Sequence, residues 1–86
     1  MTVDIHRLRN RMNCEVLVFF VYPDKTVECV RYPKGVTNQS YGAFCMFVDG
    51  KETVILREER ISLNLARKVW NAFVSDNWYY SKVRSQ

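Results

Sequence analysis

Two long apolar runs, VLVFFVY at 16–22 and YGAFCMFV at 41–48, constrain the fold of this chain more than any other feature. Both are rich in β-branched and aromatic residues, and neither contains a charged residue. Runs of this length and composition are typical of strands that are covered on both faces, or nearly so. They are far too short to cross a bilayer as helices, since that requires about 20 apolar residues. We therefore expect a β-rich core and no membrane-spanning segment.

Turn signals place each apolar run in a hairpin. PDK at 23–25 follows the first run, and its proline and aspartate favour a turn into a return strand, TVECVRY at 26–32. DG at 49–50 follows the second run and is the strongest short hairpin signal in the chain, because both residues tolerate a positive φ. KETVILREER at 51–60 then provides a fourth strand. The middle of the chain is thus predicted to form two hairpins in series.

The period of the apolar residues changes after the second hairpin. Ser62 is a suitable N-cap, and apolar residues then recur at helical spacing, which predicts a helix over 63–75 with Trp70 in the core. The segment WYYSKV at 78–83 is predicted to be extended, as a last strand or a strap. The polar stretch at 33–40 is predicted to be the longest loop.

The predicted fold class is α+β, with an antiparallel sheet of four strands, or five, in two serial hairpins and one C-terminal helix packed on one face. Eighty-six residues leave room for a single domain over 1–86. Its predicted parts are an arm or short helix at 1–13, the hairpins at 14–61, the helix at 62–77 and a C-terminal strap at 78–86.

Charge and cysteine usage bear on partners and compartment. Thirteen Lys and Arg against nine Asp and Glu give a net charge of +4, a moderate excess that permits an acidic partner. The basic clusters lie near the two termini. Cys14, Cys29 and Cys45 are odd in number and form no CxxC pair, so a zinc site is not expected. With no signal peptide, we expect three reduced, mostly buried thiols in a cytoplasmic protein.

The sequence contains no recognisable catalytic constellation. His6 is the single histidine, and it lies beside arginines far from every cysteine. The three glycines do not cluster into a phosphate-binding loop, and REER at 57–60 is typical of solvated ion pairs. We therefore expect no catalytic residues, no metal site and no cofactor, and the chain is predicted not to be an enzyme.

The segment VILREERISLNLARKVWNAFVSDNWYYSKV at 54–83 resembles a small, uncharacterised domain family of marine cyanobacteria and their phages. Members of that family show a strand, a charged turn, a short helix with an Ala-x-x-x-Trp pattern, and a second tryptophan that usually follows glycine. Ala66, Trp70 and Trp78 match this pattern, whereas Asn77 stands where the glycine is usual. The resemblance implies a small α+β protein of cyanobacterial or phage origin, and it brings no activity with it.

Surplus apolar surface favours a protein-binding function. One helix of about 13 residues, roughly 20 Å long, covers at most one face of a four-stranded sheet. The second face would expose Phe19, Tyr41 and Met46, unless the N-terminal segment folds over it, which the sequence permits equally. We therefore expect a small non-enzymatic module, a regulator or inhibitor that binds a protein partner stoichiometrically and forms a homodimer. The residues favoured for partner contact are Arg9, Trp78, Tyr79 and Tyr80.

Nucleic-acid binding is the alternative hypothesis. Basic side chains near both termini would neutralise phosphates, and the exposed tyrosines would add stacking. No recognised nucleic-acid-binding motif is present. The candidate residues for this alternative are Arg7, Arg9, Arg11, Lys82 and Arg84.

Overall fold

The computed structural model describes residues 2–33 and 39–81. Its elements are β1 (Asp4–Asn10), β2 (Val16–Val21), β3 (Thr26–Tyr32), β4 (Ala43–Val48), β5 (Lys51–Leu56), β6 (Arg60–Ser62), α1 (Leu63–Val74) and β7 (Trp78–Ser81). The predicted α+β class is confirmed, with α1 the single helix of the described part of the chain. Lys82, Arg84 and most of the predicted loop at 33–40 lie outside the described residues.

Five strands form the main sheet, in the order β6-β3-β2-β1-β7, and every neighbouring pair is antiparallel. The first predicted hairpin is confirmed as β2 and β3, joined by a turn in which the Tyr22 N–H donates to the Thr26 carbonyl at 2.9 Å. The prediction that both hairpins share one sheet is wrong. Strands β4 and β5 pair only with each other and form a separate two-stranded sheet.

The N-terminal segment, which the sequence left open as an arm or a short helix over 1–13, contains strand β1, so residues 4–10 are extended and not helical. Strand β1 pairs with β2, where Leu8 lies opposite Leu17, and with β7, where Leu8 lies opposite Tyr80. An apolar strand such as β2 needs hydrogen-bonding partners at both edges, and β1 supplies the second one. Its own signal is weak because arginines alternate with the inward-facing His6 and Leu8.

A short strand explains why the second hairpin stands apart. Strand β6, inside the charged run that follows β5, occupies the remaining edge of β3, with Ser62 opposite Thr26. The hairpin of β4 and β5 therefore packs over the core instead of extending the sheet. Its turn is as predicted, since Asp49 has φ +52° and Gly50 has φ +77°.

Helix α1 begins at the predicted N-cap and ends one residue before the predicted end. The Ser62 hydroxyl accepts a hydrogen bond from the Leu65 N–H at 3.1 Å, and the helix ends at Val74. The Ser75 N–H and hydroxyl both donate to the Asn71 carbonyl at the C-terminal end. Within the described residues, no helix is long and apolar enough to span a bilayer.

The core lies between the main sheet on one side and the helix and hairpin on the other. Phe73 of α1 joins these layers, with its ring 5.0 Å from that of Trp78 and 5.8 Å from that of Phe44. Phe19, which was expected at the surface, is buried here because odd-numbered residues of β2 face the helix, whereas Tyr41 is exposed and Met46 is half-buried. The buried cluster consists of Leu8, Leu17, Phe19, Val27, Cys29, Phe44, Val48, Ile55, Ile61, Ala66, Val69, Phe73 and Trp78.

A polar cluster fastens the segment before β4 to the main sheet. Glu15 accepts hydrogen bonds from the Arg31 guanidinium at 2.6 Å and from the Tyr41 hydroxyl at 3.0 Å. Burial alone would raise the pKa of the Glu15 carboxyl, but the hydrogen bonds from Arg31, Tyr41 and Asn13 and the charge of Arg31 together lower it below 4.5. The Tyr41 N–H also donates to the Arg31 carbonyl at 2.8 Å. These contacts hold the hairpin in place over the core.

Candidate functional site

The second face of the main sheet carries neither the helix nor the hairpin. Because side chains alternate along a strand, odd-numbered residues of β1 and even-numbered residues of β2 and β3 point away from α1. Ile5 on this face is 45 % exposed. We call this surface the arginine face, and its residues are Ile5, Arg7, Arg9, Arg11, Val16, Val18, Phe20, Tyr22, Glu28, Val30, Tyr32, Arg60 and Tyr79.

Strand register places an arginine between two aromatic rings. One row across the sheet runs from Tyr79 on β7 through Arg9 and Val16 to Tyr32 on β3. With neighbouring strands about 4.8 Å apart, the two tyrosines are separated by roughly 14 Å along the row. The Arg11 guanidinium carbon lies 4.6 Å from the centre of the Tyr79 ring, a cation–π contact at the end of the same row. Charge and ring surface are therefore interleaved.

A shallow depression of about 230 Å³ occupies the middle of the arginine face. Val18 and Val30 lie in the next row and are only 5 % and 4 % exposed, although neither the helix nor the hairpin lies on this face. Arg7 is paired directly across from Val18, and a long aliphatic stem of this kind shields apolar neighbours while its guanidinium stays in water. Phe20 also lines the depression and is half-buried.

Acidic groups of the arginine face are confined to one corner. The Tyr22 hydroxyl donates to Glu28 at 3.0 Å, which raises the pKa of Tyr22. The Arg60 guanidinium carbon lies 3.6 Å from the centre of the Tyr22 ring and the group reaches Asp24 at 3.5 Å. Within the described residues, none of the ion pairs involves the three arginines of β1 and its C-terminal end. Their charge is therefore available to an anionic ligand.

The residues proposed from the sequence are divided between different parts of the structure. Arg7, Arg9, Arg11 and Tyr79 come together on the arginine face. Tyr80 points to the opposite side, where its ring lies 5.6 Å from that of Trp70. Trp78 is 4 % exposed and belongs to the core, so its indole is not available to contact a partner. The three aromatic residues that were predicted to form one binding strap therefore lie in three different places, namely the core, the arginine face and the opposite side of the sheet.

The sequence did not identify the aromatic members Phe20, Tyr22 and Tyr32 of the arginine face, or Arg60. The three rings occupy even-numbered positions, which face away from the helix, and this alternation was obscured because almost every residue of the first apolar run is hydrophobic. Recognising β1 as a strand would have identified the face, because its arginines recur with period two.

A second surface of interest is the outer hairpin face, formed by Ala43, Cys45, Phe47, Val54 and Leu56. Register pairs Ala43 with Leu56 and Cys45 with Val54 on the side of β4 and β5 that points away from the core. All five side chains are exposed, and Phe47 is 68 % exposed. The prediction of mostly buried thiols is therefore wrong for Cys45, and also for Cys14.

No protein-family model, curated protein or solved structure matches this chain. The resemblance to a cyanobacterial and phage domain family stays a prediction.

Proposed function

We propose that the arginine face binds single-stranded nucleic acid. The observation that carries this proposal is the placement of Arg7, Arg9 and Arg11 beside Tyr79 and in register with further aromatic rings, on the sheet face that carries neither the helix nor the hairpin. Each guanidinium can neutralise a phosphate, and this charge neutralisation supplies most of the affinity for a nucleic-acid backbone. Each ring can stack on an unpaired base of any sequence. The arrangement offers both contacts within one row of the sheet.

The shape of the arginine face favours a single strand over a duplex. The grooves of double-stranded DNA admit a helix or a two-stranded ribbon, and a five-stranded sheet is too broad to enter them. Bases in a duplex are also stacked on each other, so Tyr32 and Tyr79 would find no free base to contact. The bases of a single strand are unpaired and can turn towards the sheet, where each can stack on an aromatic side chain.

A matched pair of triple variants tests this function. Arg7→Gln, Arg9→Gln and Arg11→Gln together remove three charges from the arginine face. Binding of a short fluorescein-labelled oligouridylate, followed by anisotropy, is expected to weaken at least about tenfold at low salt. The dependence of log affinity on log salt is expected to become shallower by about 2, since each phosphate contact on a single strand contributes about 0.7.

The control variant carries Lys51→Gln, Arg57→Gln and Arg67→Gln, which are exposed residues off the arginine face. It changes the net charge by the same amount and is expected to retain most of the affinity and the wild-type salt slope. Equal weakening by both triple variants would show that only net charge matters. Failure of the wild-type protein to bind the oligonucleotide at low salt would reject the function outright.

A protein partner for the outer hairpin face is a second candidate function. The five exposed apolar side chains form one patch on paired strands, and a patch of this kind often marks an interaction site. A second copy of the chain is one partner this face would accept, which gives a homodimer. The exposed thiols of Cys14 and Cys45 support a reducing, cytoplasmic location for either function.

Sedimentation velocity and crosslinking test the second candidate. A photo-crosslinker attached to Cys45 in a Cys14→Ser background is expected to capture a protein, and Phe47→Ser is expected to abolish both capture and any dimer. Val74→Ser is the matched control, since Val74 is an exposed apolar residue on α1. A monomer that captures nothing, or equal loss in both variants, would exclude the outer hairpin face as an interface.

A further inference from the structure

A groove of about 220 Å³ lies between α1 and the main sheet, on the side opposite the arginine face. Helix α1 contributes Ala66, Arg67 and Trp70 to its walls, and the sheet contributes His6 and Phe19. The hairpin packs near Phe73 towards the C-terminal end of the helix, whereas the groove lies beside the first part of the helix, from Leu63 to Trp70. The methyl group of Ala66 is too small to fill the gap, so an apolar space stays open.

Aromatic rings shape the groove. The Trp70 ring lies 5.1 Å from that of Phe19 and 6.2 Å from that of His6, and both pairs are edge-to-face. Tyr80 lies against Trp70 at 5.6 Å and supports it from the strand β7 side. Walls of this kind favour a flat, aromatic ligand, because rings prefer edge-to-face and offset contacts at these distances.

The charge at the groove is positive. No Asp or Glu lines it, whereas Arg67 is exposed at its edge and forms no ion pair within the described residues. The imidazole ring of His6, which also lines the groove, carries an N–H donor. A planar guanidinium matches the two oxygens of a carboxylate and holds them with strong hydrogen bonds.

We infer that this groove binds a small aromatic carboxylate, with its ring against Trp70 and Phe19 and its acid group on Arg67 and His6. Volume limits the ring system to one or two fused rings, since an apolar cavity of about 150 Å³ accommodates benzene. The site is independent of nucleic-acid binding, because it uses side chains that point to the other side of β1.

Nuclear magnetic resonance with 2-naphthoate as the probe tests the inference. Titration is expected to move the amide signals of His6 and Ala66 and the indole N–H signal of Trp70, with a Kd of roughly 0.1–1 mM for a ligand of this size. The neutral amide, 2-naphthamide, is expected to bind about tenfold more weakly because it lacks the charge. Signals on the arginine face are expected to stay in place.

Two substitutions test separately the charge of Arg67 and the apolar space beside Ala66. Arg67→Gln is expected to weaken 2-naphthoate about tenfold and leave 2-naphthamide unchanged, and Arg57→Gln, an exposed residue directly after β5 that does not line the groove, is the matched control. Ala66→Leu is expected to fill the groove and abolish binding of both probes, with thermal melting used to check that it folds. The inference is overturned if 2-naphthoate shifts no groove signal up to about 10 mM, or if acid and amide bind equally and Arg67→Gln changes neither.

Discussion

The two faces of the main sheet are made from the same strands and differ in what covers them. Along β1, Leu8 is completely buried under the helix layer, while Arg7 and Arg9 on either side of it are exposed on the arginine face. The backbone hydrogen bonds are common to both faces, so the faces differ in their side chains. The face that packs against the helix and hairpin buries most of the apolar side chains and supplies most of the hydrophobic stabilisation. The arginine face therefore carries charge and rings that are available for binding, and its exposed residues can be changed with little loss of stability, unlike the buried Val18 and Val30.

The largest expected difference is between the reactivity of the buried thiol and that of the two exposed thiols. Burial, reinforced by the charge of Glu28, raises the pKa of the Cys29 thiol from 9.0 to about 12. Because the thiolate is the reactive form, this shift and the burial of the sulfur both slow the reaction of Cys29 at neutral pH. A colorimetric thiol assay is expected to find two fast thiols, Cys14 and Cys45, and a third that reacts only after unfolding. Three fast thiols would contradict the burial of Cys29.

The second-largest expected effect is the difference in stability loss between truncating a core side chain and truncating one on the arginine face. Leu8→Ala removes a fully buried side chain and is expected to lower the free energy of unfolding by about 2–5 kcal/mol. Ile5→Ala, on the same strand but 45 % exposed on the arginine face, is expected to cost less than about 1 kcal/mol. Urea denaturation of the two variants measures this directly. Similar losses for both would mean that the arginine face is covered in solution.

The polar cluster around Glu15 is expected to have a smaller and pH-dependent effect. Glu15→Gln removes the charge that Arg31 and Tyr41 stabilise, at a cost of about 1–2 kcal/mol near neutral pH. The pKa of Glu15 is lower in the folded protein than its ordinary value of 4.5, so its stabilisation is complete above that pH. It is lost as the pH falls through the lower, folded value.

Urea unfolding of the wild-type protein and Glu15→Gln at about pH 7 and about pH 3 checks the sign of this effect. The difference in stability between the two proteins is expected to shrink on acidification. A difference that stays constant or grows would show that the carboxylate is not stabilised by these partners.

The smallest expected effect belongs to an exposed ion pair outside both faces. Lys68 on α1 contacts Asp49 in the hairpin turn at 2.7 Å, and both side chains are more than half exposed. Lys68→Ala is expected to change the free energy of unfolding by less than about 0.5 kcal/mol, because solvent screens such pairs. Thermal unfolding measures the change. A clearly larger loss would mean that this contact anchors the hairpin to the helix.

Local chemistry made part of the fold predictable. The DG turn and the Ser62 cap depend on residues within a few positions of each other, and both appear as predicted. Strands β1 and β6 were missed because each is defined by the distant strand whose edge it occupies. Neither strand has an apolar run of its own, so its residues become extended only by pairing with the neighbouring strand in the assembled sheet.

The candidate site was predictable to a similar extent. The arginines at 7, 9 and 11 stood out as a cluster, but as part of an arm they had no fixed neighbours. Strand register brings Tyr32 and Tyr79 into line with Arg9, and register is a property of the whole sheet. Tyr79 was proposed from its position beside Tyr80, and the structure separates the two because adjacent residues of a strand face opposite ways.

Titration of the ¹⁵N-labelled protein with an oligouridylate, followed by nuclear magnetic resonance, shows which face of the sheet binds nucleic acid. If the arginine face is the binding surface, the largest shifts will fall on β1, on Phe20 and Tyr32, and on Tyr79. Signals of α1 and of the hairpin will move little. Shifts concentrated on the hairpin or helix, or none at low salt, would contradict the assignment of binding to the open face of the sheet.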